Sequence, residues 1–461
     1  MKKLLGSTLA LALLVPAGAN AELLKNLKVG GSLEVNAISA NNVTDFSTAK
    51  YDNINTIQTR LMVKADWDLL DDVHAHVSID KNDRTYGGTT GGSTVGGTSQ
   101  DLNTIQSKLF VDESYVKIDK LFGAIDTTVG RQFYGEAGDL VIYYGPKYNL
   151  YGLPITALDA GRFDWNGEKI GVTLLGGKVT GNALGVNDNA NVNLGGIDVH
   201  VKPTDNVSGA AYVYDRTTVN SNTGAGVVNV TGNDYLYVAG LKAKVTMGGA
   251  WLKAEIAKDF GTNRTVTLAT GNNLVDANYT GWAGKADAGI KVDLSSLGAL
   301  TGWGQFGIGS GGATANRNFQ AIAGDYRPGS IWGRFGNGAV GATLNGANTA
   351  VNTSNTLSNL VVTGAGVKVT PAALSKLTAG ISAWNYRRQT ANGVATANAG
   401  NKNLGNEYDL DLTWAHSENV TVSVGAGDFQ PNAGITVADA AANGGSVSPA
   451  RLGYADLSIK F

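Results

Sequence analysis

Residues 452–461, LGYADLSIKF, alternate between apolar and polar side chains up to the last residue of the chain. Ala455, Leu457, Ile459 and Phe461 fall on one side of an extended strand, and the residues between them fall on the other. The pattern predicts a strand with one apolar face and one polar face that ends on an aromatic residue. Such a strand suits a wall between lipid and water.

The same alternation recurs along the chain, for example in residues 27–36, 60–68, 73–80, 285–293 and 408–414. A soluble β-sandwich rarely keeps this pattern for about ten residues in so many strands. The sequence therefore predicts an all-β fold, a single transmembrane antiparallel up-and-down β-barrel of about 18 strands, with about 16–20 as the range.

The predicted strands are separated by short turns that alternate with long connections rich in Gly, Asn, Thr and Ser. This layout predicts short periplasmic turns, long outer loops and both termini in the periplasm. One connection is ambiguous, because residues 311–357 are either one long loop or contain a hairpin within 318–335 that would give twenty strands. The predicted strand centres lie near residues 32, 62, 77, 112, 128, 162, 174, 197, 211, 240, 253, 287, 304, 364, 382, 411, 423 and 456.

The N-terminus has the pattern of a secretory signal. Lys2 and Lys3 precede an apolar run over residues 4–15, and Ala19-Asn20-Ala21 forms a cleavage site. The run is shorter than the roughly 20 residues that a membrane-spanning helix needs. We therefore expect a signal peptide over residues 1–21 and a barrel domain over residues 22–461.

Composition narrows the class of protein. Charged residues make up 16% of the chain, against roughly 25% in soluble domains. Cysteine is absent, which excludes disulfide and thiol chemistry. Basic and acidic residues number 36 and 38, and this near balance argues against nucleic acid as a partner. Trp67, Trp165 and Trp414 fall near predicted strand ends, where aromatic rings favour the membrane boundary.

Charged residues of both signs occupy the polar faces of the predicted strands. In a water-filled pore such residues set ion preference and orient solutes. Pairing of opposite charges between neighbouring strands is the alternative reading. The predicted channel-lining residues are Arg60, Lys64, Asp66, Lys242, Lys244, Lys285, Asp287, Lys291, Asp409 and Asp411.

Residues 135–157 form a long connection that differs from the others, because it is rich in Leu, Val, Ile and Tyr and poor in charge. Exposed apolar surface is unfavourable in water, so we expect this loop to fold into the barrel and narrow it. Packing against a neighbouring subunit or the barrel rim is the alternative. Arg327 and Arg334 are further candidates for an inward loop. The predicted residues of the constriction are Arg131, Asp139, Tyr143, Tyr144, Lys147, Tyr148 and Arg162.

The signal, the alternating strands, the loop pattern and Phe461 resemble the general outer-membrane porins of Gram-negative bacteria across essentially the whole chain. The resemblance implies that the barrel assembly machinery reads Phe461 as a signal, and that the third outer loop, residues 135–157, forms the constriction. Two short stretches, VGRQ at 129–132 and GRFD at 161–164, are similar to eighteen-stranded porins of the alginate-export type.

Other classes of protein fit the sequence less well. The histidines His74, His76, His200 and His416 are scattered and lack a nucleophile partner, which argues against a barrel enzyme. His74 and His76 share a strand face, but a zinc site needs a third and a fourth ligand. A TonB-dependent receptor needs a plug domain, for which the first strand begins too early. A β-helical adhesin should show a fixed repeat, and none is present.

The sequence thus predicts an outer-membrane porin, a water-filled channel for passive diffusion of small hydrophilic solutes and ions. It predicts no catalysis, no metal and no cofactor. A non-conducting structural or adhesive barrel is the alternative. The expected partners are outer-membrane lipids, lipopolysaccharide, the barrel assembly machinery and small solutes, and the barrel works either alone or as a homotrimer.

Overall fold

The chain forms one closed antiparallel barrel of eighteen long strands in the computed structural model. Consecutive strands pair with each other, so the topology is a simple up-and-down meander. The strands are β1 (Leu27–Asn41), β2 (Ile54–Leu70), β3 (Val73–Thr85), β4 (Leu109–Leu121), β5 (Ile125–Gln132), β6 (Leu158–Asn166), β7 (Ile170–Thr180), β8 (Val192–Thr204), β9 (Val207–Thr218), β10 (Asp234–Met247), β11 (Ala250–Thr267), β12 (Trp282–Asp293), β13 (Gly298–Gly309), β14 (Val361–Pro371), β15 (Leu377–Arg387), β16 (Asn403–Ser417), β17 (Val420–Pro431) and β18 (Ala450–Lys460).

Shorter elements lie between the long strands. The short strands are Thr94–Val95, Thr98–Ser99, Tyr134–Gly135, Tyr143–Tyr144 and Asn273–Asn278, and the short helical turns are Ser295–Leu297, Ala315–Arg317, Trp332–Gly336 and Ala372–Leu374. The structure describes residues 26–43, 46, 53–85, 94–95, 98–99, 109–147, 153, 155–180, 191–219, 233–267, 273–312, 315–336, 356–390, 402–432 and 447–461. The predicted signal peptide, residues 1–21, lies outside these ranges. Within them, no helix is long and apolar enough to cross a membrane.

The barrel closes where its last strand meets its first. Strands β1 and β18 pair in an antiparallel register that places Ser32 opposite Lys460. The seam continues to the end of the chain, because the amide of Gly31 donates to the carbonyl of Phe461 at 2.8 Å and the amide of Phe461 returns a bond of 3.0 Å. Closure leaves no unpaired strand edge at this seam.

Side chains alternate between the two faces of the wall, as the sequence predicts. On β2, Leu61 and Val63 are exposed on the outer face, whereas Arg60 and Met62 point inward and are buried. We call the end of the barrel with the short connections the turn end, and the other the loop end. Trp165 and Trp414 lie on the outer face near the turn end.

The predicted count of about eighteen strands is confirmed, and each predicted strand centre falls within one of the long strands. The alternative of an extra hairpin within 318–335, which would give twenty strands, is wrong. Residues 318–331 contain no strand in the structure, and Trp332–Gly336 is a short π-helical turn. These residues lie inside the barrel instead of extending its wall.

Candidate functional site: the constriction zone

The inner face of the barrel carries the predicted channel-lining residues. The strand registers put all ten on the face opposite the exposed apolar side chains, and so inside the barrel. They differ in access to solvent, since Asp66 is exposed whereas Arg60 and Asp409 are buried. Several pair across strands, such as Lys64 with Glu113 at 3.3 Å. The face is therefore polar, and part of it is covered by inserted loops.

Residues 134–147, the first inward segment, leave the wall after β5 and enter the barrel. Gly135 and Gly138 adopt positive φ angles of 85° and 90°, which a glycine accepts without strain. A side chain at Gly135 would also collide with the carbonyl of Ile142. Leu140 and Val141 are buried together with Ile142. The apolar residues that the sequence singled out thus pack inside the barrel.

Residues 318–334, the second inward segment, lie against the wall at β15 and β16. Glu407 is fully buried and accepts the amides of Ile331 at 2.6 Å and Trp332 at 3.1 Å. The hydroxyl of Tyr386, which has one hydrogen to donate, lies 3.0 Å from the same carboxylate and 3.1 Å from the carbonyl oxygen of Pro328. One buried acidic side chain therefore fixes the backbone of this segment to the wall.

The two inward segments are joined inside the barrel by backbone hydrogen bonds. The amide of Tyr143 donates to Ala323 at 2.9 Å, and the amide of Ala323 donates to Val141 at 2.9 Å. Asp325 continues the contact, since its amide donates to Asp139 at 2.8 Å. Residues 142 and 323 form a parallel bridge. The segments thus form one partition.

Charged side chains of the wall hold one side of the first inward segment. Lys242 on β10 pairs with Asp139 at 2.6 Å. Glu255 on β11 accepts the amide of Leu140 at 2.9 Å, and the ammonium of Lys285 on β12 donates to the carbonyl of Gly138. Three neighbouring strands therefore anchor the segment near its entry into the barrel.

Arg60 on β2 holds the same connection from a different part of the wall. It is 0% exposed, pairs with Glu34 on β1, and donates to the carbonyls of Lys147 and Leu153 at 3.2 Å each. The connection therefore reaches from β10–β12 to β1–β2 and crosses the interior. Arg60 was predicted to line the channel, but it is sealed beneath the inserted loop.

Lys147 is buried within the partition. Its ammonium donates to the carbonyl of Tyr143 at 2.8 Å, lies 4.5 Å from the centre of that ring, and lies 3.7 Å from Asp325. Burial lowers the pKa of Lys147 to about 8, and the nearby Asp325 opposes this shift. Arg327 pairs with the same Asp325 at 2.6 Å. The partition thus contains its own charge network.

The remaining predicted constriction residues divide into three groups. Tyr144 is buried in the partition, and Arg162 faces inward, with Nε donating to Asp164 at 2.7 Å. The prediction for Arg131 is wrong. Arg131 shares the outer face of β5 with exposed Val129, so it cannot line the constriction. Tyr148 lies outside the described residues.

Arg334 extends the partition to the seam of the barrel. It pairs with Asp456 on β18 at 3.2 Å, and its guanidinium lies 4.2 Å from the ring centre of Tyr454. The sequence had marked Arg334 and Arg327 only by their isolation in a charge-poor stretch. It gave no sign of Glu407 as an anchor, because a polar residue on an inward face is the norm in a barrel.

The two histidines of β3 face inward near the turn end, each between two carboxylates. His74 contacts Asp68 at 2.7 Å and Asp119 at 3.1 Å, and His76 contacts Asp66 at 2.6 Å. No group of three or more potential metal ligands occurs among the residues that the structure describes.

No protein-family model matches the sequence, and no curated protein matches it. Solved structures do share its architecture. Acinetobacter baumannii OccAB1 has a TM-score of 0.56 and 9% identity, over 94% of this chain and 96% of that chain. Pseudomonas aeruginosa OccK11 (OpdR) has a TM-score of 0.52 and 8% identity, over 95% and 97%. Pseudomonas aeruginosa OpdK with vanillate has a TM-score of 0.52 and 10% identity, over 95% and 99%.

The likeness extends over nearly the full length of each chain and establishes the fold. A further structure is that of the outer membrane protein OpdK from Pseudomonas aeruginosa. It has a TM-score of 0.51 and 9% identity, over 94% of this chain and 99% of that chain. The resemblance to alginate-export porins gains no support from these structures and stays a prediction.

Proposed function

We propose that this protein is an outer-membrane porin that lets small hydrophilic solutes and ions diffuse passively through its barrel. Three properties support the proposal: the closed wall, the exposed apolar residues on its outer face and the charged residues on its inner face. The short connections would face the periplasm and the long ones the exterior.

The path of the first inward segment supports the proposal more specifically than the fold does. The first inward segment is anchored by Lys242 on one part of the wall and by Arg60 on another, so it crosses the interior. A loop that crosses the interior of a barrel narrows the path through it. Lys242 and Arg162 remain partly exposed beside this segment and are the proposed contacts for passing solutes.

We further infer export with a signal peptide cleaved after Ala21, insertion into the outer membrane by the barrel assembly machinery, and Phe461 as the signal that the machinery reads. Outer-membrane lipids and lipopolysaccharide would surround the wall. The proposed function requires no cofactor, because passive diffusion through a preformed pore needs only a polar path. We assign no catalytic role to any side chain of the described inner face.

Single-channel recording of the mature protein in planar lipid bilayers tests the proposal. We expect discrete current steps in symmetric salt, and a reversal potential in a salt gradient gives the ion preference. Vanillate is a useful first solute because OpdK was crystallised with it. Its addition should reduce the current if it enters the constriction. A folded barrel that inserts and never conducts would favour a structural or adhesive role instead.

A further inference from the structure

Three tryptophans lie on the inner face of the barrel, where a water-filled lumen calls for polar side chains. Trp251 lies on β11, Trp303 on β13 and Trp384 on β15. The strand registers place Trp251 and Trp303 on either side of the same residue of β12, Gly289. The ring centres of Trp303 and Trp384 are 5.3 Å apart. Indole rings therefore follow one another along one part of the inner wall.

Glycines on the neighbouring strands let these rings lie against the wall. A side chain at Gly289 would collide with the ring of Trp251, and a side chain at Gly366 would collide with the ring of Trp303. Each of these two rings thus covers the backbone of the next strand and turns one side toward the interior. Trp251 and Trp303 are partly exposed, whereas Trp384 is buried.

The partition ends above the two exposed rings. Gln305, two residues beyond Trp303 toward the loop end, accepts a hydrogen bond from the hydroxyl of Tyr326 at 2.9 Å. Glu255, four residues beyond Trp251, accepts an amide of the first inward segment. Trp251 itself is the second residue of β11, which begins at the turn end. Both rings therefore lie between the constriction and the turn end, beside the path of a solute that has passed the partition.

Polar and charged side chains border the two rings on both sides. Toward the loop end, Asp287 of β12 accepts a hydrogen bond from Gln305 of β13. Toward the turn end, Lys291 and Lys368 lie on either side of Thr301 in the register, and both lysines are exposed. Neither ammonium has an ion-pair partner in the parts of the chain that the structure describes. Hydrogen-bond donors and acceptors thus flank an apolar strip of the wall.

We propose that Trp251 and Trp303, the aromatic track, bind oligosaccharides on their way between the constriction and the turn end. The axial C–H groups of a pyranose make one side of the sugar apolar and weakly positive, and this side stacks on the negatively polarised face of an indole ring. The hydroxyls at the rim of the sugar then reach donors such as Lys291 and acceptors such as Asp287. The inference rests on the proposed porin function and names the class of solute.

Other solutes would use only part of this surface. A small inorganic ion is recognised by charge alone and needs neither ring. An aromatic acid would stack on the rings, but its carboxylate uses only the donors of the border. A saccharide uses the rings, the donors and the acceptors together, because each of its hydroxyls both donates and accepts.

Block of the salt current in planar bilayers tests the aromatic track. Maltotriose and cellotriose are the probes, and a polyethylene glycol of similar size is the control, because it is neutral and has no sugar ring. We expect at least one trisaccharide to interrupt the current at concentrations at which the polymer does not. The double variant Trp251→Leu, Trp303→Leu should raise its half-blocking concentration about tenfold, which corresponds to about 1.4 kcal/mol.

Two further variants separate ring stacking from damage to the barrel. Trp282→Leu removes a tryptophan from the outer face of β12, the strand between β11 and β13, and should leave the half-blocking concentration unchanged. The double variant Trp251→Tyr, Trp303→Tyr keeps a ring at each position and should restore most of the block. Heat-modifiable migration on gels shows that each variant is folded.

The failure of this inference can be told apart from the failure of the proposed function. A channel that carries salt and is blocked by neither trisaccharide, or is blocked equally well after Trp251→Leu, Trp303→Leu, overturns the aromatic track and leaves the porin function standing. Block by vanillate alone, lost in the same variant, would also overturn it and assign the rings to aromatic acids.

A barrel that never conducts would contradict the proposed function, and tryptophan fluorescence in detergent micelles then decides the inference. Titration with the two trisaccharides should change the emission of the unchanged protein and leave that of the Trp251→Leu, Trp303→Leu variant constant. Emission that stays constant in both proteins would overturn the aromatic track.

Discussion

Lys242 on β10 and Asp139 of the first inward segment form an ion pair, with 2.6 Å between Nζ and Oδ2. The pair joins the barrel wall to the loop that crosses its interior. Lys242 also lies 5.5 Å from the ring centre of Tyr212, and the adjacent strand contributes Glu255. The position of the constriction therefore depends on a few named charges, and these can be removed one at a time.

Asp139→Ala should loosen the first inward segment. Loss of a charged hydrogen bond that is largely shielded from solvent costs about 1–3 kcal/mol, so the segment would leave its docked position more often. We expect larger and noisier single-channel currents in planar bilayers. Lys244→Ala removes another inner-face charge on the same strand and should add no noise, so it separates loosening of the segment from loss of a charge.

A charge swap separates the ion pair from general damage. The double variant Asp139→Lys, Lys242→Asp restores opposite charges at the two positions. We expect it to recover part of the low conductance and low current noise of the unchanged protein. The interaction energy from this double-mutant cycle measures the coupling of the two residues. Additive effects of the two single changes would mean that the pair does not hold the segment.

Glu407→Gln should release the second inward segment. The carboxylate accepts hydrogen bonds from the amides of Ile331 and Trp332, and a glutamine replaces one acceptor oxygen by an NH2 group. One buried N–H would then lose its partner, at a cost of about 1–3 kcal/mol. We expect a higher conductance in bilayers. Asp411→Asn, on the same face of β16, serves as the control, and a conductance equal to that control would count against the anchor.

The strands could be predicted from the sequence because the alternation of apolar and polar residues is imposed on every strand by lipid and water. The short turns followed from the same pattern. The inward path of the loop containing Leu140 and Val141 was also predictable, because its apolar composition is unusual for a long outer connection. These features depend on local composition.

The details of the site depend on contacts between distant residues, which the sequence does not display. Arg60 was assigned to the channel wall, but the carbonyls of the inserted loop seal it. The anchoring of the second segment on Glu407 uses backbone amides, which leave no pattern in side chains. Arg131 was assigned to the constriction, although its even spacing from Val129 indicates the outer face. That signal was present and was missed.

Docking of the first inward segment should strengthen as pH rises. Burial lowers the pKa of Lys147 to about 8, from an ordinary value of 10.5. Between these two values the undocked segment binds more protons than the docked one, so a higher pH favours docking, by up to about 3 kcal/mol across the window. Burial raises the pKa of Tyr144 to about 12, above this range.

Open-channel noise measured from pH 7 to pH 10 checks this prediction. We expect large excursions in current to become rarer as the pH passes through about 8 and continues towards 10. Lys147→Met keeps a similar side-chain length without a charge, and should be quiet at every pH. A wild-type trace that grows noisier with rising pH would show that Asp325, which pairs with Lys147 at 3.7 Å, outweighs the cost of burial.

Gly31 should be required for closing the barrel, because the end of the chain lies against it. A side chain at Gly31 would lie 2.7 Å from the ring of Phe461 and would collide with the carbonyl oxygen of Met62. We expect Gly31→Val to lower the folded fraction, measured by heat-modifiable migration after assembly in cells. Gly176→Val is the matched control, since no atom lies within 4 Å of the added carbon and valine favours strands.

The two obstacles at Gly31 can be separated, and the result bears on how Phe461 acts. The double variant Gly31→Ala, Phe461→Ala removes the ring but keeps the carbonyl of Met62 in place. If the ring is the main obstacle, the double variant should assemble as well as Phe461→Ala alone. If the carbonyl dominates, the double variant should assemble less well than Phe461→Ala, because a backbone oxygen inside a sheet cannot move aside. In the first case Phe461 contributes to assembly through its fit against Gly31 as well as through recognition of the strand.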